Sequence, residues 1–309
     1  MSHQQSIAFA DGPLYFPVTA FGADGEVDLE RTTSVIESSL EHGPGGVFPA
    51  CGTGEFHALS PAEAIAVARA TVHVVDGAIP VLPGVGGPVG GAVAAVRELE
   101  ASGADGVLLL PPYLVGASQE GLYRYVSAVA GASSLPVIIY HRGVAAYTAD
   151  TVARLLADHD NIVGFKDGIG DVARVQEIVL RAGEVRPGVQ FFNGLLTAEA
   201  SQSAYHAAGV PLYSSAAFAM APEVATAFYR AYRAADTATV ERLLRGFYHP
   251  LVHLRDTTPG YAVSLIKAGL RLAGHEVGGV RAPLVDPSPE HLAELERILA
   301  VGQELVSAA

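Results

Sequence analysis

Short apolar runs and longer stretches of helical periodicity take turns along the chain. Continuous apolar segments at 14–21, 46–51, 80–85, 106–110, 136–140, 162–166, 189–193 and 211–215 predict eight strands. Such runs lack the polar alternation of a half-exposed sheet and suit parallel strands covered on both faces. The segments between them predict helices with legible ends. Ser60-Pro61-Ala62-Glu63 combines a hydroxyl cap, a proline at the first helical position and a glutamate at the third. Thr148-Ala149-Asp150 and Thr197-Ala198-Glu199 open two more helices with a hydroxyl and an acidic first turn. Gly103, Gly131 and Gly209 fall where helices should end, and a left-handed C-cap favours a residue without Cβ.

Eight strand–helix alternations joined by right-handed crossovers have two common solutions, an open doubly wound sheet and a closed barrel. The even spacing, and the absence of Gly-x-Gly-x-x-Gly after the first strand, favour an α/β (β/α)8 TIM barrel. Beyond Ala221 the strand signal stops and helical patterns follow, among them 261–274 and 289–306. The expected organisation is a barrel over 1–225 and a C-terminal helical extension over 226–309 that packs on the barrel and is not an independent domain.

Composition narrows the function. Half of the 309 residues are hydrophobic, ample for one large core. A net charge of -13 repels phosphate backbones, so nucleic acid is not an expected partner. The single cysteine, Cys51, excludes an intramolecular disulfide framework and a cysteine-based zinc site. The eleven histidines include no His-Glu-x-x-His spacing, so no metal is expected. Met-Ser-His-Gln-Gln-Ser lacks a basic-then-apolar signal pattern and no apolar run is long enough to cross a bilayer, so a cytoplasmic protein without a membrane partner is expected. Lysine usage is the sharpest fact: Lys166 and Lys267 are the only lysines among 19 basic residues, and the other 17 are arginines. Each invites the question of why arginine did not serve.

Barrel active sites lie at the C-terminal ends of the strands. That rule selects Thr19, the turn 51–55, Tyr140 with His141 and Arg142, Lys166 with Asp167, Asn193 with Gly194, and Ser214 with Ser215. Lys166 closes an apolar strand and points either to solvent, as an ordinary snorkelling lysine, or into the barrel mouth. Inside, desolvation disfavours the ammonium and leaves an amine able to attack a ketone. Tyr140 ends the preceding strand, and neighbouring strands lie about 4.8 Å apart. Its hydroxyl is either a satisfied core group or a proton shuttle for the amine. Gly52-Thr53-Gly54-Glu55 is a plain strand–helix turn or a carboxylate cradle of backbone N–H groups and a hydroxyl. Arg142 is either a surface arginine or a clamp for a second carboxylate. His141 has no assigned role, and Lys267, on a late helix, is assigned to packing or an ion pair.

Together these residues resemble the dihydrodipicolinate synthase / N-acetylneuraminate lyase superfamily along nearly the whole chain. The resemblance is carried by Phe16-Pro17-Val18-Thr19, Gly52-Thr53-Gly54-Glu55-Phe56, Leu110-Pro111-Pro112-Tyr113, Tyr140 and Gly164-Phe165-Lys166-Asp167. It implies that Lys166 forms a Schiff base, that Tyr140 shuttles protons, and that Thr53 and Gly54 hold the keto-acid carboxylate. Tyr213-Ser214-Ser215-Ala216 and Ser264-Leu265-Ile266-Lys267-Ala268-Gly269-Leu270 are most similar to the 5-dehydro-4-deoxyglucarate dehydratase branch. The synthase and lyase branches often place a tyrosine where Leu114 stands. Two further departures are Cys51, in place of the turn's first glycine, and His141, where the family usually has Asn. A cysteine at a position of positive φ would be strained.

The resemblance implies a cofactor-free lyase that dehydrates and decarboxylates 5-dehydro-4-deoxy-D-glucarate to 2,5-dioxopentanoate. Arg142, Asn193 and Ser215 are the candidates for its distal carboxylate and hydroxyls. It also implies a homo-oligomer, commonly a tetramer built as a dimer of dimers. The alternatives are a pyruvate-dependent aldolase of the same family, acting on 2-keto-3-deoxy-sugar acids, and a non-catalytic ligand-binding barrel.

Overall fold

The computed structural model describes residues 6–307. The first five residues, read above for a signal pattern, lie outside the described residues. A strand forms at each of the eight apolar runs: β1 Leu14–Tyr15, β2 Gly46–Val47, β3 Gly84–Val85, β4 Val107–Leu109, β5 Val137–His141, β6 Ile162–Asp167, β7 Gln190–Asn193 and β8 Leu212–Ser215. Helices alternate with them: α1 Leu29–Leu40, α2 Pro61–Val75, α3 Val89–Glu100, α4 Gln119–Ala130, α5 Ala149–Asp158, α6 Val172–Val185, α7 Gln202–Ala207 and α8 Pro222–Arg233. This is the (β/α)8 barrel class that the alternation predicts. The C-terminal extension is helical as expected: α9 Thr237–Leu243, α10 His249–Arg255, α11 Tyr261–Leu272 and α12 Pro289–Ser307.

The first three strands are shorter than their apolar runs. Pro17, Pro49 and Pro83 lie in those runs and have no N–H to give to a ladder. After Pro49 the chain turns away through Ala50, at φ 49°. Strands β5 and β6 carry no such break and are buried at every position.

Two of the three expected helix starts form as read. The Ser60 N–H donates to Glu63 Oε2 at 2.7 Å and the Glu63 N–H donates back to Ser60 Oγ at 3.3 Å. Thr148 Oγ1 accepts from the Thr151 N–H at 3.3 Å and opens α5. Thr197 does not cap a helix: it sits at φ 51° and leads only into a 3-10 turn, Ala198–Ser201, before α7. Gly103 and Gly209 take the left-handed conformation, at φ 84° and 89°. Gly131 instead stays right-handed at φ -77°, its N–H still bonded back to Ser127 O, so the left-handed cap expected there is absent.

The chain divides into two compact units, residues 80–214 with the segment up to Phe9, and residues 10–79 with 215–309. In the first, β3 to β8 pair in chain order, all parallel. In the second, β1 pairs with β2 in parallel, Leu14 opposite Gly46 and Tyr15 opposite Val47. Helices α8 to α12 belong to this second unit.

Candidate active site

Register decides which strand-end residues share a face in the first unit. Tyr140 lies opposite Lys166, and Lys166 opposite Phe192. One step on, His141 lies opposite Asp167 and Asp167 opposite Asn193. Successive side chains alternate across a strand. Tyr140, Lys166 and, two residues after Tyr140, Arg142 therefore share one face, while His141, Asp167 and Asn193 take the other.

On the first face Lys166 is 5% exposed and its Nζ lies 4.5 Å from the Tyr140 ring centroid. The Tyr140 hydroxyl donates to Gly194 O at 2.9 Å and accepts from Arg142 Nη1 at 2.9 Å. Two glycines make this packing possible. A Cβ on Gly194 would sit 2.6 Å from Lys166 Cε and 2.7 Å from its Cγ. A Cβ on Gly168 would sit 2.9 Å from the Tyr140 hydroxyl oxygen and 2.8 Å from its ring. No side chain fits at either position while the lysine and tyrosine stand where they do. Neither glycine stood out in the sequence as a positioning residue, because glycines at strand ends are common in any α/β protein.

The second face holds loops in place. Asp167 accepts from the Tyr205 hydroxyl, from the Gly170 N–H at 3.1 Å and from the Ile169 N–H at 3.3 Å. His141, 1% exposed, accepts at Nδ1 from the Tyr147 N–H at 3.4 Å, and its Nε2 is 3.9 Å from Asp167. Burial pushes the His141 imidazolium down to a pKa of about 4, against the opposing pull of Asp167, so the ring is neutral at pH 7. Asn193 is fully buried. Its amide nitrogen donates to Ala198 O at 3.0 Å, Ser201 Oγ at 3.0 Å and Gln202 Oε1 at 3.2 Å, and its oxygen accepts from the Leu195 N–H at 3.1 Å. The substrate contact expected from its strand-end position gives way to a loop clamp, because the register turns it away from Lys166.

In the second unit the turn 51–55 is shaped from both sides. Thr19 Oγ1 donates to Gly54 O at 2.7 Å, and a Cβ on Gly54 would lie 3.0 Å from Ala50 N. The left-handed residues of this turn are Ala50 and Glu55, at φ 49° and 57°. Cys51 is buried outside that conformation, so replacing the family's glycine strains nothing there. Thr53 is half-buried.

Glu55 had no sequence signal of its own. Its Oε1 is 2.8 Å from Lys267 Nζ, and its Oε2 accepts from the Arg281 N–H at 2.9 Å. Lys267 also donates to Gly279 O at 2.6 Å and lies 3.8 Å over the Phe21 ring. Both charged side chains are 0% exposed. Lys267 is thus the ion-pair lysine expected from its place on a late helix. Burial lowers its pKa and the Glu55 carboxylate opposes that shift. Ser215, fully buried, accepts at Oγ from the Phe218 N–H, inside the 3-10 turn Ala217–Ala219, at 3.2 Å.

Among the described residues, no group of three or more His, Cys, Asp or Glu is placed to hold a metal ion, and no helix is long and apolar enough to cross a membrane. Leu114, where other branches carry tyrosine, is 100% exposed and left-handed at φ 64°.

Comparison with known proteins identifies the family. Residues 10–301 match the model of the dihydrodipicolinate synthetase family. A protein of Streptomyces coelicolor named "Probable 5-dehydro-4-deoxyglucarate dehydratase 1" is 52% identical over 96% of this chain and 94% of its own length. A Streptomyces griseus protein with the corresponding name is 48% identical over 96% of this chain and 93% of its own. The crystal structure of dihydrodipicolinate synthase from Oceanobacillus iheyensis superposes with a TM-score of 0.87 at 27% identity, covering 96% of this chain and 97% of that one. The chain belongs to the dihydrodipicolinate synthetase family.

Proposed function

We propose that this protein is a Schiff-base lyase that dehydrates and decarboxylates 5-dehydro-4-deoxy-D-glucarate to 2,5-dioxopentanoate. The observation that carries the reading is the buried Lys166–Tyr140 pair in a chain half identical, along most of its length, to relatives named for that dehydration. Lys166 attacks the ketone, and Tyr140 moves the protons as water leaves and the iminium forms. The iminium acidifies the adjacent CH2, and loss of that proton gives an enamine that expels the β-hydroxyl as water. The conjugated iminium then draws electrons from the C–C bond to the far carboxylate, which leaves as CO2. Protonation and hydrolysis release the product and restore the amine. The net reaction takes up one proton and yields one water and one CO2.

Thr53 and Gly54 are proposed to receive the carboxylate beside the ketone, and Arg142 the distal one. Asn193 and Ser215 are proposed to act by shaping the backbone of Gly194 and of the 215–218 turn. Lysine supplies the electron sink, so the reaction needs no organic cofactor or metal. We also propose that the enzyme works in the cytoplasm as a homo-oligomer, a tetramer in the manner common to the family.

The test is reduction with borohydride in the presence of substrate, followed by peptide mass spectrometry. An adduct on Lys166 with the mass of the substrate less water and CO2 is expected. A pyruvate-sized adduct would move the protein to the aldolases, and an unmodified Lys166 under excess substrate would remove the Schiff-base reading.

A further inference from the structure

We propose that Arg142 acts on the reaction through Tyr140, aiming the phenol hydroxyl and stabilising the phenolate formed when its proton is given up. This rests on the Schiff-base reading and goes beyond the carboxylate clamp assigned to Arg142 there.

The geometry starts from strand periodicity. Residues 140 and 142 are two apart at the end of β5, so their side chains leave the same face. The backbone at Arg142 is fixed by a tight reversal: the Ala145 N–H donates to Arg142 O at 3.0 Å, the two residues form an antiparallel bridge, and Gly143 supplies the positive φ of 56°. From that position Nη1 reaches the Tyr140 oxygen at 2.9 Å. The hydroxyl's own hydrogen is directed at Gly194 O, also at 2.9 Å. That carbonyl is placed in turn by the Gly194 N–H, which donates to Asp167 O at 2.5 Å, and by the Asn193 clamp. The missing Cβ of Gly168 leaves the hydroxyl its place.

A phenol that carries protons between an amine and a departing water must pass through its anion or close to it. An N–H donor on a permanent cation at hydrogen-bond distance favours that anion, and a half-buried setting strengthens the effect. Arginine suits this better than lysine because it stays protonated and its planar fork keeps further N–H groups for a carboxylate. One guanidinium thereby serves the distal carboxylate and the proton carrier together.

Pyruvate separates the two roles, since it has the keto-acid head and no distal carboxylate. The rate of imine formation at Lys166, read by borohydride trapping, is compared for the wild type, Arg142→Gln, Arg142→Lys, Tyr140→Phe and Arg142→Gln/Tyr140→Phe. Arg142→Gln is expected to slow trapping with pyruvate roughly a hundred- to thousandfold, the scale of losing one donor to a developing anion. Arg142→Lys should recover part of that loss. The double variant should be no slower than Tyr140→Phe alone. With the diacid, Arg142→Gln should lower kcat as well as raise KM. Unchanged trapping of pyruvate by Arg142→Gln, with only the KM for the diacid raised, would overturn the proposal and leave the clamp. An additive double variant would also overturn it. No adduct in the wild type with either acid would instead remove the Schiff-base reading on which it stands.

Discussion

The two lysines of this chain are both buried, and their surroundings differ in kind. Lys267 is 0% exposed, 2.8 Å from the Glu55 carboxylate and 2.6 Å from a carbonyl oxygen. Lys166 is 5% exposed and lies against the Tyr140 ring, with Gly194 bare beside its methylenes. The carboxylate that follows Lys166 in the chain, Asp167, is turned to the opposite face and engaged by Tyr205 and two backbone N–H groups. A carboxylate at contact distance holds an ammonium charged. A ring face and a packed glycine instead fix the position of a group that must change its bonding. The same residue type is a paired, buried cation in one unit and, in the proposed reaction, the nucleophile in the other, and the neighbours separate the two.

The largest effect that would break this contrast is at Lys166. Lys166→Arg keeps a cation of similar reach but cannot present a neutral amine. It is expected to abolish trapping and to lower turnover by about a thousandfold or more, the scale of losing a covalent catalyst. Lys267→Arg, by comparison, should leave trapping at Lys166 intact in whatever fraction folds. If Lys166→Arg turned over normally, the nucleophile would have to be sought elsewhere.

The next effect concerns stability. Lys267→Met leaves Glu55 buried without its cation, a change that typically costs about 3–5 kcal/mol. Adding Glu55→Gln removes the orphaned charge and should recover a large part of that loss. Urea denaturation of the two variants decides the matter: a double variant as unstable as the single one would mean that the pair contributes shape and not charge compensation.

How much of this was legible beforehand depends on which physical signal each feature leaves. Apolar runs fixed the positions of all eight strands, because burial on both faces is written directly in residue type. Strand ends were less legible where prolines cut the first three ladders short. Lys166 and Tyr140 are marked by strand-end position; that Arg142 bonds the Tyr140 hydroxyl is marked by no residue type, because it depends on the turn that follows β5. Asn193 shows the limit. Its position in the strand end was visible, but which way it faced depended on β6–β7 register, and register is a property of two strands that neither encodes alone. The Glu55–Lys267 pair was hidden for a related reason: it joins residues far apart in sequence, and no local pattern marks either as the other's partner.

A smaller effect tests how tightly Lys166 is held. Gly194→Ala puts a methyl 2.6 Å from Lys166 Cε unless something shifts. Overpacking of this kind costs about 1–3 kcal/mol; the methyl also meets the backbone Asp167 O at 2.7 Å, so the part free to give way is the Lys166 side chain. The variant should fold, lose roughly a factor of ten or more in trapping rate, and show most of its defect in kcat. A fully active Gly194→Ala protein would show that Lys166 has room to relocate, and would weaken the contrast between a positioned amine and a paired cation.

The effect that is smallest at neutral pH lies behind the lysine, at His141. In the folded protein burial holds its pKa down at about 4, against an ordinary value of 6.5. Between those two values the unfolded chain binds the proton that the folded chain refuses. Stability therefore rises with pH across that window and is lost as pH falls from 6.5 towards 4, by up to about 1.4 kcal/mol per unit. His141→Asn keeps an acceptor for the Tyr147 N–H but cannot take up a proton, so its stability should fall less steeply over the same range. Urea midpoints measured from pH 4 to pH 7 for both proteins would show it. Parallel curves would mean that His141 takes up its proton without unfolding, with Asp167 receiving it as a charged partner. The carboxylate beside Lys166 in the chain would then be answering to a histidine cation on the far face, and its separation from the Lys166 amine would be electrostatic as well as geometric.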